Sequence, residues 1–345
     1  MKISLKNGAL VVTSISGPNP VLKSLAEGAM ARGIPFIVIG DSKSPADFEL
    51  PGCDFYSLDR QRRLPFAYAR LCHEKSYARK NIGYLLAIAG GARLMVETDD
   101  DNYPQEDFWA DRNSVVEGAL VSSGDWVNAY AYFSDTSIYP RGFPIEHLLA
   151  ASAKTHVRAA PTPVDCPIQQ GLADNNPDVD AIYRMLLPLP ITFRRDTPVI
   201  LGPKTWCPFN SQNTTVFREA FPLLYLPTFC SFRMTDIWRS YIAQRILWTC
   251  GWRLSFHAAT VYQERNEHDL LRDFADEVPG YLNNARIARE LDTLELAPGP
   301  DAIAPNLKLC YKKLVQMGLI LEPELVLLDA WLEDLQKAGS EKPLP

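Results

Sequence analysis

The sequence predicts an α/β protein with a mostly parallel, twisted sheet that helices flank on both faces. Three short apolar segments, residues 10–15, 36–39 and 94–96, have the composition of buried strands. Segments with helical periodicity, residues 21–32 and 77–89, separate them. The order strand, helix, strand, helix, strand with short connections is typical of a sheet whose strands run in parallel.

The residues between these segments support the same assignment. Asn19 can cap the first helix, and Pro20 suits the first helical position. Gly33 suits the left-handed position that follows the helix. Gly90 and Gly91 then end the second helix before the third strand begins.

The C-terminal part of the chain is predicted to be helical. A helix over residues 236–250 places three apolar side chains on one face, and Gly251 closes it. An amphipathic helix over residues 322–337 ends the charged tail. We expect a catalytic domain over residues 8–265 and a helical extension over 266–345, which packs on the catalytic domain or forms a homo-oligomer.

Composition excludes several classes of protein. The 345 residues carry 35 Lys and Arg against 41 Asp and Glu, a net charge of −6, without the basic stripe that nucleic-acid binding needs. No apolar run reaches the roughly 18 residues of a membrane helix, although peripheral contact with a membrane stays open. Seven scattered cysteines without a C-x-x-C pair argue against disulfides and structural zinc. We expect a cytoplasmic enzyme.

An acidic cluster, residues 97–101, directly follows the third predicted strand. In parallel sheets the ligand binds beyond the carboxyl ends of the strands. Carboxylate oxygens there suit Mg²⁺ or Mn²⁺, which bridge to the diphosphate of a substrate. The alternative is an acidic turn that only contacts solvent.

The same rule directs attention to the ends of the first two strands. Thr13 and Asp41 lie there, and we expect them to contact a nucleoside, although Asp41 would equally cap a turn. Arg79 and Lys80, at the start of the second helix, would bind a phosphate or form a solvated helix end.

Asp236 is the candidate catalytic base because a carboxylate can take the proton of an attacking hydroxyl. An ordinary first-turn Asp is the alternative. The only histidine that we consider as an extra metal ligand is His257. Motifs of serine hydrolases, P-loop enzymes and Rossmann dinucleotide-binding enzymes are missing from the sequence.

Several segments, taken in order, resemble one protein family. They are Val11–Ser14, Ile39–Pro45, Arg79–Leu85, Glu97–Asp100, Tyr139–Pro144, Ile168–Gly171, Pro177–Asp180, Pro208–Thr214, Asp236–Arg239 and Gln244–Trp248. This series resembles the STELLO family, glycosyltransferases of the GT-A type known from plant Golgi proteins that assist cellulose synthesis. The resemblance implies a GT-A fold and transfer of a sugar from a nucleotide-sugar.

The resemblance also implies roles for individual residues. The D-x-D-D motif of the family falls on residues 97–100, with Glu97 in its first position as a ribose or metal ligand and Asp100 as its last residue. Asp99 in this motif is an expected metal ligand. Asp101 lies beyond the family pattern, and we expect it to supply the second metal carboxylate. Asp236 matches an Asp at a helix start, where many inverting enzymes of this type place the base.

Three further residues, Arg141, Gln169 and Gln170, match family motifs. We expect them to contact the donor phosphates or the sugar, or to hold loops together. The plant proteins carry a membrane anchor that is not found here, so a soluble, bacterial-type member that elaborates a surface glycan is the expectation.

The function that the sequence predicts is therefore a metal-dependent glycosyltransferase. It would move a sugar from a nucleotide-sugar, with Mn²⁺ or Mg²⁺, to a glycan, a lipid-linked glycan or another hydroxyl acceptor, with inversion, in surface polysaccharide synthesis. One alternative is a sugar-phosphate nucleotidyltransferase, which uses a related sheet. The other is a non-catalytic scaffold that retains the fold and assists polysaccharide synthesis.

Overall fold

The computed structural model describes residues 2–153, 161–264 and 269–340. The strands are β1 (Lys2–Ile3), β2 (Gly8–Thr13), β3 (Phe36–Ile39), β4 (Asp54–Tyr56), β5 (Leu94–Thr98), β6 (Asn102–Pro104), β7 (Arg112–Asn113), β8 (Val115–Val121), β9 (Thr162–Asp165), β10 (Ile168–Asp174), β11 (Val199–Leu201), β12 (Asn213–Phe217) and β13 (Leu254–Gln263). The helices are α1 (Pro20–Arg32), α2 (Leu58–Arg62), α3 (Ala67–Leu71), α4 (Lys80–Ala89), α5 (Ile145–Ala153), α6 (Ala181–Leu186), α7 (Thr235–Thr249), α8 (Leu270–Asp292), α9 (Ile303–Gln316) and α10 (Glu324–Ser340).

Within the described residues, 11 strands form one sheet, in the order β4-β3-β2-β5-β12-β10-β13-β11-β8-β9, with β6 beside β13. The first four run parallel to one another. β12 runs antiparallel to both of its neighbours, and β10 and β13 run parallel to each other. The predicted α/β fold, a large sheet with parallel strands that helices flank, is confirmed.

The elements predicted in the N-terminal part are present with small shifts. Asn19 caps α1 by accepting a hydrogen bond from Leu22 N at 2.8 Å, and Gly33 follows the helix at φ 65°. The helix predicted over residues 77–89 begins as a 3-10 turn and becomes α4 at Lys80. β5 extends two residues beyond the predicted end, so Glu97 lies inside the strand.

Two apolar clusters cover the faces of the sheet. Val12 belongs to the cluster on the side of α1, and Val11 to the larger cluster that includes α4 and α7, because successive side chains of a strand point to opposite faces. Gly83 allows α4 to lie close to β2, since a Cβ there would come within 2.6 Å of Val11 Cγ1.

The helices α8 to α10 share the larger apolar cluster with the sheet, through side chains such as Leu291, Tyr311 and Trp331. Polar contacts join the same layers: the Asp334 carboxylate accepts hydrogen bonds from the backbone N–H groups of Ala67 and Tyr68, at 3.0 and 2.7 Å. The predicted domain boundary at residue 265 falls outside the described residues. No described helix combines the length and the hydrophobicity that crossing a lipid bilayer would require.

Candidate functional site

The carboxyl ends of β2, β3 and β5 bring several predicted site residues to one edge of the sheet. These parallel neighbours end at Thr13, Ile39 and Thr98. Asp41 follows β3 by two residues, and the three aspartates at 99–101 follow β5 directly. We call this edge, defined by Asp99, Asp100 and Asp101, the acidic edge. It lies where α/β sheets bind their ligands.

Asp99 is held through one oxygen only. Its Oδ1 accepts hydrogen bonds from Tyr77 Oη at 2.8 Å and from Lys80 Nζ at 3.2 Å. Its Oδ2 has no hydrogen-bond partner among the described residues, and 29% of the side chain is exposed. Burial raises the pKa of Asp99, although the nearby charge of Lys80 opposes the shift. One carboxylate oxygen is therefore left for a ligand.

Asp100 connects the acidic edge to the first strand and the first helix. Its Oδ2 accepts a hydrogen bond from Ser14 Oγ, and its backbone carbonyl accepts one from Asn19 Nδ2 at 2.8 Å. Burial and then the charge of Asp99 raise the pKa of Asp100, while the Ser14 hydrogen bond lowers it. The side chain therefore helps to fix the turn as well as contributing charge.

Asp101 links the acidic edge to the end of β13. Its Oδ2 accepts a hydrogen bond from Gln263 Nε2 at 2.9 Å, and its carbonyl accepts one from Glu264 N at 3.1 Å. Within the part of the chain that the structure describes, no group of three or more His, Cys, Asp or Glu side chains is arranged to hold a metal. A metal here would need ligands from the substrate.

Asp41 uses both carboxylate oxygens locally. They accept hydrogen bonds from Ser42 N at 2.6 Å and from Ser76 N at 3.1 Å. The second contact ties the end of β3 to the turn that carries Tyr77. The turn-capping role that the sequence left open for Asp41 is therefore present, and Thr13 lies half-buried at the end of β2.

Lys80 and Arg79 have different positions. Lys80 is fully buried below the acidic edge, where Nζ donates to Asp99, to Tyr77 Oη at 2.8 Å and to the Thr98 carbonyl at 2.8 Å. Arg79 is not at the edge, because its guanidinium is buried against Gln61 and donates to two backbone carbonyls. It supports the packing of α4 rather than facing a phosphate.

Glu97 also lies away from the position that the sequence predicted. It is fully buried, with Arg239 donating to both of its oxygens at 2.8 and 3.0 Å and Tyr84 donating to Oε2. The strand pairs at this position with β2 and with β12, through Val11 and Thr214. Glu97 is therefore enclosed within the sheet and does not reach a ribose or a metal at the edge.

Asp236 lies in the first turn of α7, as predicted, and is 6% exposed. Arg141 Nη2 donates to both of its oxygens, at 2.9 and 3.1 Å, and Ser211 N donates to Oδ2 at 3.2 Å. Burial alone would raise the pKa of Asp236, but Arg141 holds it below its usual value. The carboxylate is thus ionised but already bound.

Arg141 is the centre of a buried ion cluster. Besides Asp236, it contacts Asp178 through Nε at 2.7 Å and through Nη2 at 2.8 Å. It also donates to the carbonyl of Arg233. The guanidinium therefore joins the start of α7 to the loop before α6, which is the loop-holding role among those expected for Arg141.

Gln169 and Gln170 lie in different parts of the structure. Gln170 accepts hydrogen bonds from Asn210 N at 2.8 Å and Thr214 Oγ1 at 3.1 Å, so it fixes the loop that carries Ser211. Gln169 donates to the carbonyls of Asn113 and Cys166, and it lines a pocket away from the acidic edge. Neither side chain contacts an aspartate of the edge.

Sequence reasoning missed Tyr77, Ser211 and Phe232. The Tyr77 hydroxyl lies 2.6 Å from Ser211 Oγ, and Ser211 Oγ lies 3.3 Å from Asp236 Oδ2, so these residues connect Asp99 to Asp236. Phe232 packs edge-on against Tyr77, with ring centroids 6.0 Å apart, and is 59% exposed. The only signal for Phe232 is an exposed aromatic side chain beside the acidic cluster. This signal can be recognised only once the tertiary structure is known.

Comparisons with known proteins point to one group of enzymes. The family model of the STELLO glycosyltransferases matches residues 233–344. Two proteins of Arabidopsis thaliana, probable glycosyltransferases STELLO2 and STELLO1, are each 27% identical over 364 aligned residues, which include 97% of this chain. The chain spans less than half, 45%, of the length of these relatives.

A solved structure described as a mycobacterial protein aligns with this chain, with 12% sequence identity and a TM-score of 0.38. The alignment covers 80% of this chain and 74% of the chain in that structure. That similarity is too low to support an argument. The two plant proteins and the family model agree with the ordered motifs of the sequence. This chain is similar to the STELLO glycosyltransferases over most of its length.

Proposed function

We propose that this chain transfers a sugar from a nucleotide-sugar to a hydroxyl of a glycan or lipid-linked glycan, with Mn²⁺ or Mg²⁺ at the acidic edge. The relationship to the STELLO glycosyltransferases supports sugar transfer. The observation that carries the proposal is the position of Asp99, partly exposed and with one oxygen without a partner, at the carboxyl edge of parallel strands.

The residues at the acidic edge fit a divalent cation that two carboxylates and a substrate share. Asp99 would supply Oδ2, and Asp101 would supply the second carboxylate. Oxygen ligands suit Mg²⁺ and Mn²⁺, and Mg²⁺ usually keeps several waters and binds one or two carboxylates together with substrate phosphates. A cation there would also relieve the energetic cost of ionising Asp99 and Asp100, whose pKa values are raised.

When bound, the ion would neutralise the charge that develops on the departing nucleoside diphosphate. Thr13 and Asp41, at the ends of β2 and β3, would contact the nucleoside. Lys80 and Tyr77 would hold Asp99 in place from below, because both donate to its Oδ1.

Four predicted donor-binding residues have a supporting role in this proposal. Glu97, Arg79, Arg141 and Gln170 are buried and use their polar atoms on other parts of the chain. They would keep the strand, the α4 start and the loop at Ser211 in position.

Asp236 is the proposed base. Its ionised state suits a proton acceptor, and Ser211 Oγ, 3.3 Å from its Oδ2, extends from it toward Tyr77. Direct displacement with an activated hydroxyl inverts the anomeric carbon. If NMR of the first-formed product shows retained configuration, the role proposed for Asp236 fails.

The experiment that tests the function is incubation of the protein with a panel of nucleotide-sugars and Mn²⁺, with and without EDTA. Release of nucleoside diphosphate that EDTA abolishes is the expected result. The matched control is Glu106→Gln, an exposed acid beyond β6, which should keep this release while Asp99→Asn loses it.

Other outcomes identify the alternatives. Formation of pyrophosphate from a nucleoside triphosphate and a sugar phosphate would indicate a nucleotidyltransferase. If neither product forms with any donor, a non-catalytic scaffold is the better account.

A further inference from the structure

A pocket beside β13 lies apart from the acidic edge. Its volume is about 320 Å³, and its walls come from β7, β8, β10, β13 and the segment 195–198. None of the three aspartates of the acidic edge lines it. Small-molecule sites usually occupy about 300–1,000 Å³, so the pocket has the size of a site for a compact ligand.

His257 presents a hydrogen-bond acceptor in this pocket. Its Nδ1 lies 2.9 Å from the Ala258 carbonyl. A carbonyl only accepts, so Nδ1 carries the proton. Burial, with the charge of Arg112 as a smaller cause, lowers the pKa of His257 to about 4. The ring is therefore neutral near pH 7, and Nε2 has a lone pair with no partner among the described residues.

Gln169 adds a hydrogen-bond acceptor to the pocket, and Arg195 adds donors. Gln169 Nε2 donates to the carbonyls of Asn113 and Cys166, at 2.7 and 3.0 Å. This fixes the amide, and its Oε1 takes no hydrogen bond within the described ranges. Arg195 Nη2 donates to Gln105 and Asp174, its other nitrogens have no partner in the described part of the chain, and the side chain is 45% exposed. Its other nitrogens are donors at the rim.

The lining carries charges of both signs, so it does not favour ions of one sign. Three carboxylates, those of Asp107, Asp111 and Asp196, oppose an anion, and the guanidiniums of Arg112 and Arg195 oppose a cation. A phosphodiester, which has no hydrogen to donate, would also face the lone pairs of the two acceptors. A hydroxyl group both donates and accepts, so a neutral ligand with several hydroxyls fits the lining best.

The pocket also has an apolar surface, formed by Val116, Pro198 and Ala259. A pyranose ring has one C–H face that can pack on such a surface and hydroxyls around its edge. This combination of an apolar wall with a few fixed polar groups is typical of small-molecule sites.

We propose that this pocket binds a pyranose unit of a saccharide, with hydroxyls donating to His257 Nε2 and Gln169 Oε1 and accepting from Arg195. The inference goes beyond the proposed function because the binding needs neither a metal nor a nucleotide. The pocket would hold a sugar of the acceptor or product glycan outside the acidic edge.

The test is saturation-transfer NMR of the full chain in EDTA without nucleotide. The probes are the methyl glycosides of glucose, galactose, mannose and xylose, together with cellotriose and maltotriose. At least one probe should show transfer to its ring protons, and a stronger signal from a trisaccharide than from its methyl glycoside would identify a longer glycan as the ligand.

Two variants assign the signal to the pocket. His257→Leu removes the acceptor and Val116→Trp fills the space, so each should weaken binding at least tenfold while the thermal melting curve stays cooperative. Leu149→Trp, at a side chain that is 85% exposed, is the matched control and should bind as the original chain does. Asp99→Asn should also keep the binding, which separates this site from the proposed function.

No transfer to any saccharide would overturn the proposal. Binding that survives both pocket variants would do so too, as would binding of inorganic phosphate or choline in place of the sugars.

Discussion

Two acidic residues, Glu97 within β5 and Asp99 directly after it, have opposite surroundings. Glu97 pairs with Arg239, and their side chains are 0% and 2% exposed. Asp99 pairs with Lys80 but remains 29% exposed. The difference arises because Glu97 lies within β5, between two paired strands, whereas Asp99 lies beyond the last pair, Thr98 with Asn213.

This contrast shows how one acidic cluster in the sequence divides into two functions. Below the edge, the carboxylates of Glu97 and Asp236 are matched by buried guanidiniums, so they hold β5, α7 and the neighbouring loops together. At the edge, burial raises the pKa values of Asp99 and Asp100, and the charge of Lys80 only partly opposes this. The buried ion pairs are expected to determine stability, Asp236 in addition to its proposed role as the base. The acidic edge is expected to determine ligand binding.

The largest expected effect is on stability. Arg239→Met leaves Glu97 buried without its partner, and breaking a buried ion pair in this way costs about 3–5 kcal/mol of unfolding free energy. Urea denaturation measures this cost. The double variant Glu97→Leu with Arg239→Met should recover much of it, because no unpaired charge remains. A single-variant loss below about 1 kcal/mol would contradict the role given to this pair.

The next effect is on activity rather than on stability. Asp99→Asn removes a proposed metal ligand, which should raise the barrier to transfer by about 3 kcal/mol and lower turnover about a hundredfold. Donor turnover in the presence of Mn²⁺ measures the change. Unfolding free energy should fall less than in Arg239→Met, since the Asn oxygen still accepts from Tyr77 and Lys80 and Asp99 is 29% exposed. If Asp99→Asn kept normal turnover but lost stability, Asp99 would belong with the residues that determine stability and not with those that bind the ligand.

The sequence predicted the sheet better than the ion pairs. The apolar segments at 10–15, 36–39 and 94–96 correspond to β2, β3 and β5, because composition and periodicity identify buried strands. The Asn19 cap and the left-handed Gly33 were also predicted, since these signals act within a few residues.

The sequence could not predict which carboxylates become buried in ion pairs and which remain at the acidic edge. Whether Glu97 is a ligand or a buried partner depends on the end of β5 and on Arg239, which is 142 residues away in the chain. The same holds for Asp236, whose partner Arg141 comes from a distant loop. Local patterns contain no information about such contacts. The roles of Asp99, Asp101 and Asp236 therefore stay predictions.

A smaller effect concerns pH. Asp236→Asn should lower the unfolding free energy at neutral pH by about 2 kcal/mol, the scale of a charge-assisted hydrogen bond. Because the folded pKa of Asp236 lies below the usual 3.8, its contribution is present above that pH and is lost as the pH falls through the folded value.

Urea denaturation of the original chain and the variant at a series of pH values tests this. The difference between them should stay constant from pH 7 to about 4 and shrink below the usual aspartate pKa. A difference that already disappears near neutral pH would mean that the pKa of Asp236 is raised instead.

The smallest effect is expected at an exposed ion pair. Lys308 and Asp329 lie 2.6 Å apart with side chains 53% and 61% exposed. Solvent and salt screen such pairs, so Lys308→Ala should change urea denaturation only within experimental error. If Lys308→Ala lost as much unfolding free energy as Arg239→Met, burial would not determine how much an ion pair contributes to stability.

The most direct measurement of the central claim is a titration with Mn²⁺ followed by electron paramagnetic resonance, in the presence of uridine, guanosine, adenosine or cytidine diphosphate. The original chain should bind one Mn²⁺ more tightly with one of these diphosphates, and Asp99→Asn with Asp101→Asn should lose this binding. Equal binding by the original chain and the double variant would contradict a metal and diphosphate site at the acidic edge.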